Sequence, residues 1–128
     1  MTLPTITAVV GTYHTGPRLH ECLYALKSDP DVSEIVVVDN GNPPAEQDWI
    51  DNFAAVSDKV HIVRDGTNPG FGAGVNKGAA GALGKLLLVI NPDAVLRRGS
   101  LARLVGAMDK RAEPVLVGGK IFDIHGRE

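Results

Sequence analysis

The chain has 128 residues, the length of one ordinary domain and enough to bury a core without disulfides or metals as staples. It is 44% apolar with a net charge of −2, which argues against a surface built for nucleic acid or for anionic membrane. The single cysteine, Cys22, has no partner in the chain, which favours a reducing compartment. The start M-T-L-P-T-I-T-A-V-V has no basic n-region, and no apolar run approaches the ~18 residues that a membrane span needs. The expected location is cytoplasmic, either free or peripheral to the inner face of the membrane.

Ile6 to Gly11 (I-T-A-V-V-G) is a β-branched strand. A helix follows, capped by Thr15 or Gly16 with Pro17 in its first turn, and Leu19, Cys22, Leu23 and Leu26 form one apolar stripe. Asp29-Pro30-Asp31 breaks it. Glu34 to Asp39 (E-I-V-V-V-D) is a second strand, ending in the turn Asp39-Asn40-Gly41-Asn42-Pro43-Pro44. A helix over 45–55 carries Trp49, Ile50 and Phe53 on one face, and Val60 to Arg64 is a short third strand.

Asp65 to Phe71 (D-G-T-N-P-G-F) is a loop, and a glycine-rich helix is expected over 72–83. Each interior glycine costs up to ~1 kcal/mol against alanine, so the cluster implies close backbone approach to a neighbour or a ligand. Leu86 to Ile90 (L-L-L-V-I) reads as the central strand, buried on both faces. A helix capped by Ser100 should bury Leu101, Leu104, Val105 and Met108, with final strands at Val115 to Val117 and Ile121 to Ile124. Strands alternating with helices, joined by crossovers this long, predict an α/β fold with a mostly parallel sheet and helices on both faces. No repeat or linker divides residues 1–128, so one domain is expected, and the chain reads as one cut short after Gly126.

Three strands end in polar residues: Thr12-Tyr13-His14, Asp39-Asn40 and Asn91-Pro92-Asp93. In a parallel sheet these ends share one edge, where ligands bind. Pro92 stops the fourth strand and presents Asp93 just beyond it, in position to hold a divalent cation against a nucleotide diphosphate. Common nucleotide motifs are missing. The turn Gly11 to Gly16 has no G-x-G-x-x-G, Lys85 lacks the glycine and Ser/Thr of a P-loop, and no acids follow strand one as a phosphoacceptor would need.

Four stretches, V-V-G-T-Y-H, V-V-V-D-N-G, N-P-G-F-G-A-G-V-N-K-G and L-L-V-I-N-P-D, resemble the N-terminal half of a family 2 glycosyltransferase with the GT-A fold, from about Ile6 to Gly126. The N-x-G-F…N-x-G loop with N-P-D is similar to the rhamnosyltransferase branch, which builds bacterial polysaccharides. The resemblance implies that Thr12 and Tyr13 line the base and ribose, with Asn40 beside them. It implies that Asp39 accepts the N3–H of uracil or thymine, which cytosine lacks. Asn68, Gly70 and Asn76 match the loop that closes over the donor, and Asp93 matches the last acid of the metal-binding D-x-D.

The implied donor is a dTDP- or UDP-sugar, dTDP-rhamnose first. The implied acceptor is a saccharide or a lipid-linked saccharide, and the implied cofactor is Mg²⁺ or Mn²⁺. Two positions depart from the pattern. His14 stands where asparagine is usual, and Asn91 replaces the first acid of D-x-D, leaving one carboxylate. Family members are longer, and their general base lies in the C-terminal half, so this chain alone is expected to bind donor without useful turnover.

Plainer roles compete with these. Asp39 or Asp93 can serve a turn, Asn68 and Asn76 can stabilise loops, Tyr13 can be a half-buried spacer and the glycines can serve packing alone. Cys22 reads as core, Trp49 and Phe53 as helix anchors, and Arg97 and Arg98 as a solvated pair. His20, His61 and His125 share no ligand spacing. A non-catalytic nucleotide-binding or assembly module is the alternative function, a second copy pairing at an open edge near Val115 to Ile124. A nucleotidyltransferase would need a basic glycine-rich loop after strand one, which Thr12-Tyr13-His14 does not provide.

Overall fold

Four runs rich in branched apolar residues become four parallel strands, because each is followed by a helix that carries the chain back along the sheet. The computed structural model describes residues 2–109 and 116–128. The order is β1 (Ile6–Thr12), α1 (Pro17–Ser28), β2 (Glu34–Asp39), α2 (Pro44–Ala55), β3 (Val60–Val63), α3 (Phe71–Ala80), β4 (Leu86–Ile90) and α4 (Ser100–Met108). The sheet order is β3-β2-β1-β4. In register, Thr12 lies beside Asp39, Val38 beside Val63 and Val10 beside Ile90.

Alternation along each strand sorts the core into two layers. Ala8, Val10, Ile35 and Val37 point to one face, where α1 packs Leu19, Cys22, Leu23 and Leu26. Ile50 and Phe53 of α2 and Leu101 and Val105 of α4 complete that layer. Val9, Val36 and Val38 point to the other face, where α3 lies. Helices therefore cover both faces, as the pattern of elements predicts.

α3 sits unusually close to the sheet because of where its glycines fall. A Cβ on Gly78 would lie 2.6 Å from a Val38 methyl and 2.8 Å from a Val9 methyl, and one on Gly74 would lie 2.7 Å from the Asn40 amide nitrogen. The i, i+4 spacing puts both glycines on one stripe facing the sheet. Gly72 meets nothing within 4 Å, so the stripe and not the glycine content is what packing requires.

The opposite edge of the sheet is pinned by buried polar groups. The Glu34 carboxylate accepts from the Thr7 hydroxyl at 2.7 Å and from the Leu83 N–H at 2.9 Å, and the Gly84 N–H donates to the Thr7 hydroxyl oxygen at 2.9 Å. This fastens the turn before β4 to the start of β1. The Lys59 ammonium donates to the carbonyls of Leu26, Lys27 and Asp29, closing the C-terminus of α1.

Several expectations are corrected. β4 is an edge strand among the described residues, with Leu87 49% and Val89 47% exposed, so only Leu86, Leu88 and Ile90 face the core. A run of five apolar residues does not report how many faces are covered. α3 begins at Phe71 and ends at Ala80, and β3 ends at Val63, before Arg64. The N-cap of α4 is Gly99 at φ +86, and Ser100 makes no capping bond. Leu104 and Met108 are only half-buried. Gly16 caps α1 without a side-chain bond, since the Thr15 hydroxyl is bonded to Asn42 instead. Ile121 to Ile124 is not a strand, Leu116 and Val117 are not in one either, and Val115 lies outside the described residues.

Gly78→Ala adds a methyl against two valines, so it should destabilise the fold by about 1–3 kcal/mol in urea unfolding despite the better helix former. Gly72→Ala should leave stability unchanged or raise it slightly.

Candidate functional site

The carboxyl ends of the parallel strands form one rim. Asp39 closes β2 beside Thr12, Arg64 follows β3 directly, and Asn91-Pro92-Asp93 follows β4. The loops after β1 and β2 are bonded to each other: the Asn40 N–H donates to the Thr12 carbonyl at 2.9 Å, and the His14 N–H donates to the Gly41 carbonyl at 2.8 Å. His14 takes φ +49, a left-handed conformation that histidine tolerates better than branched residues do.

Asp39 is the electrostatic centre of this rim. Its side chain is 1% exposed. Oδ1 accepts from the Gly41 N–H at 3.0 Å and from Asn42 Nδ2 at 2.8 Å, while Oδ2 accepts from Arg64 Nε at 2.7 Å. Burial pushes its pKa up, but Arg64, the Gly41 N–H and Asn42 together outweigh burial and hold the carboxyl below the usual range. Arg64 also donates from Nη2 to Asp51 Oδ1 at 2.9 Å, which ties β3 to α2.

A cleft of about 380 Å³ lies next to this network, lined by Thr15, Gly16, Pro17, Arg18, Leu19, Pro92 and Asp93. The first turn of α1 therefore faces Asp93. That turn carries no acid, Pro17 has no N–H and the Leu19 N–H is bonded to the Gly16 carbonyl at 2.9 Å, so the helix dipole and the Arg18 guanidinium are what make the wall positive and suited to an anion. Among the described residues no group of three or more His, Cys, Asp or Glu side chains could hold a metal. Asp93 fits a cation as one ligand only, with the remaining positions left to a bound anion and water. Cys22 lies behind the cleft with its thiol toward the Asn91 carbonyl at 3.6 Å. Burial and then the Asp93 charge push that thiol up to about 12, so it is inert at neutral pH.

The predicted residues divide accordingly. Tyr13 is 56% exposed, with its ring over Gly41 and against His14, where a stacking face is available. Asp93 is exposed in the cleft. Thr12 is buried and uses its hydroxyl internally, donating to the Val38 carbonyl and accepting from Asn42. Asn40 is buried, its amide against Gly74 of α3. Asn68 is exposed and accepts from the Gly70 N–H at 3.2 Å within its own loop, and Gly70 at φ +89 caps α3. Asn76 is exposed on α3, roughly 8 Å beyond the start of that helix. The sequence reading missed Arg64, Asn42 and Thr15. Arg64 was recoverable, since the residue after β3 must neighbour the end of β2.

Arg64→Gln would leave the Asp39 charge buried without its cation, costing about 1–3 kcal/mol at pH 7. In the unaltered protein the lowered pKa stabilises the fold above the ordinary carboxylate range and is lost as pH falls through it. In the variant the Gly41 N–H and Asn42 still donate to Asp39 but the cation is gone, so less of that stabilisation is present. The stability gap should therefore be widest near neutrality and shrink below about pH 4, read by urea unfolding at both pH values.

The sequence signature described as Glycosyl transferase family 2 matches residues 7–127. The glycosyltransferase GlyG of Streptococcus pneumoniae is 25% identical over 114 residues, covering 88% of this chain and 38% of GlyG. The mannosyltransferase PcManGT of Pyrobaculum calidifontis, solved with GDP-Man and Mn²⁺, superposes with a TM-score of 0.74 at 23% identity, over 87% of this chain and 33% of that one. S. aureus TarS, solved with UDP-GlcNAc, gives a TM-score of 0.70 at 20% identity, over 83% of this chain and 31% of that one. The chain spans between 27% and 40% of the length of the curated relatives it matches. No helix of the described residues is long and apolar enough to cross a membrane.

Proposed function

The chain belongs to glycosyl transferase family 2, and from that premise we propose that it is the donor-binding unit of an enzyme that transfers a sugar from a UDP- or dTDP-sugar. One observation carries this reading. Asp39 and Asp93, the two acids the family pattern picks out, stand on one rim of the sheet on either side of the loop from Thr12 to Thr15. A nucleotide laid along that rim would put its base near Asp39 and Tyr13 and its diphosphate against α1 and Asp93.

The choice of base follows from counting acceptors. Oδ1 of Asp39 already takes two donors and Oδ2 takes one, which leaves one lone pair. The imide of uracil or thymine offers one N–H between two carbonyls. Arg64 keeps N–H donors free for one of those carbonyls. Guanine presents two adjacent donors, which one remaining acceptor cannot satisfy. The Tyr13 ring, held beside Gly41 and exposed, offers that base a stacking face.

At the other end Asp93 is the protein ligand for Mg²⁺ or Mn²⁺, and the ion when bound supplies positive charge to the departing diphosphate. The complexes of PcManGT with GDP-Man and Mn²⁺ and of TarS with UDP-GlcNAc support this class of ligand. Within the class we favour dTDP-rhamnose as donor and a saccharide or lipid-linked saccharide as acceptor. The family resemblance puts the general base in the C-terminal half of longer members, and on that ground the chain alone is proposed to bind donor without useful turnover.

Calorimetry tests the site. UDP and dTDP should bind more tightly with Mn²⁺ than without it, and GDP should bind about tenfold more weakly or worse. Asp93→Ala should abolish the metal dependence, and Asp39→Asn should weaken binding with or without metal. Unchanged titrations for both variants would place the site elsewhere.

Among the described residues no strand pairs with the outer edge of β4, and Leu87 and Val89 are exposed, which supports a second reading, an assembly module that pairs with another copy. Sedimentation across a hundredfold concentration range should then show a dimer that Val89→Lys disrupts. A monomer throughout removes that reading.

A further inference from the structure

We propose that Asn42 is the positioning residue that couples the nucleobase end of the site to its diphosphate end, an inference that rests on the donor-binding reading. Its side chain makes four hydrogen bonds, the full capacity of a primary amide. Nδ2 donates to the Thr12 hydroxyl oxygen at 2.9 Å and to Asp39 Oδ1 at 2.8 Å. Oδ1 accepts from the Thr15 N–H at 2.9 Å and from the Thr15 hydroxyl at 2.5 Å.

The orientation of the amide is set by its partners. The Asp39 carboxylate only accepts and the Thr15 N–H only donates, so a flipped amide would put oxygen against oxygen and N–H against N–H. One planar group thus spans from the acid that closes β2 to the residue before the Gly16 cap of α1. Thr15 and Gly16 line the cleft with Asp93. The Thr12 bond fixes the same amide to the end of β1, so it cannot shift at one end without moving at the other. The backbone bond from His14 to the Gly41 carbonyl runs beside this bridge but reaches neither carboxylate. A change at Thr15 is therefore felt at Asp39 through Asn42.

Uridine is the probe that isolates the effect, because it carries the base and no phosphate. Binding is followed by NMR titration of the 128-residue chain. Thr15→Val keeps the backbone bond to Asn42 and loses the hydroxyl, and it should weaken uridine about fivefold, the worth of one hydrogen bond. In an Asn42→Ala background the same Thr15→Val should add nothing. Asn42→Asp keeps the shape and both Thr15 bonds but sets a second carboxylate against Asp39. Its uridine affinity should be low at pH 7 and recover toward pH 5, as the introduced carboxyl takes a proton and donates it to Asp39. The unaltered protein carries the same His14 beside Tyr13 and sets the reference, against which the variant's recovery is read. Asn42 as a mere loop anchor would show no recovery.

If Thr15→Val leaves uridine affinity unchanged, or weakens it equally in both backgrounds, while Asp39→Asn still weakens it, the coupling is overturned and the donor site stands. If the unaltered chain binds neither uridine nor UDP, both are overturned. Should Asn42→Ala fail to fold, Thr15→Val in the unaltered background and the pH series on Asn42→Asp decide.

Discussion

A buried negative charge organises this structure. Asp39 ends the second strand with a side chain that is almost fully enclosed and still ionised, because Arg64, Asn42 and the Gly41 N–H all donate to it. An enclosed carboxylate without such partners would cost several kcal/mol or take up a proton. Satisfying it draws in the end of β3, the loop after β2 and, through Asn42, the end of β1 and the start of α1. The rim is thereby a connected polar network and not a set of independent loops, and no buried side-chain nitrogen or oxygen of the described residues lacks a partner.

The two faces of the sheet are built differently. On one, large side chains from α1, α2 and α4 fill the space by ordinary apolar packing. On the other, α3 approaches so closely that Gly74 and Gly78 leave no room for a methyl, and the Phe71 ring at its start would stand 3.9 Å from a Cβ on Gly11. Close approach brings the start of α3, and the loop before it, over the same rim that Asp39 and Tyr13 occupy. Lys77 on α3 holds that loop through Asp65 at 2.6 Å. α3 packs over β1 and β2, and Leu87 and Val89 of β4 stay bare beside it.

Anchoring at both ends of the strands keeps the register that the site needs. Glu34, Thr7 and Gly84 secure the entry to β1 and β4, and Lys59 closes the end of α1. A one-residue slip of β1 against β2 would turn Thr12 away from Val38 and break the Asn42 bridge. The aromatic cluster of His20, Trp49, Phe53 and Tyr24, with Glu46 bonded to His20, joins α1 to α2. It steadies the two helices whose first turns frame the polar loops.

By itself the sequence determined the local elements and their order. Periodicity, proline and glycine positions and strand-length apolar runs are local signals, and they located the four strands and four helices of the described residues to within a few positions, while also predicting a strand at Ile121 to Ile124 that does not form. They also put Asp39 and Asp93 at strand ends, and the parallel rule put those ends on one edge. Tertiary structure alone decided the rest. Leu86 to Ile90 has the same composition whether it is central or at an edge, because hydrophobicity does not record how many neighbours a strand has. The sequence showed an amide at Asn42, but its four partners come from β1, β2 and the start of α1, and only folding brings those donors and acceptors within 3 Å of it. The same holds for Thr12, Asn40 and Asn76: residue type announced polarity, and only the folded chain shows that Thr12 and Asn40 are buried and Asn76 is exposed.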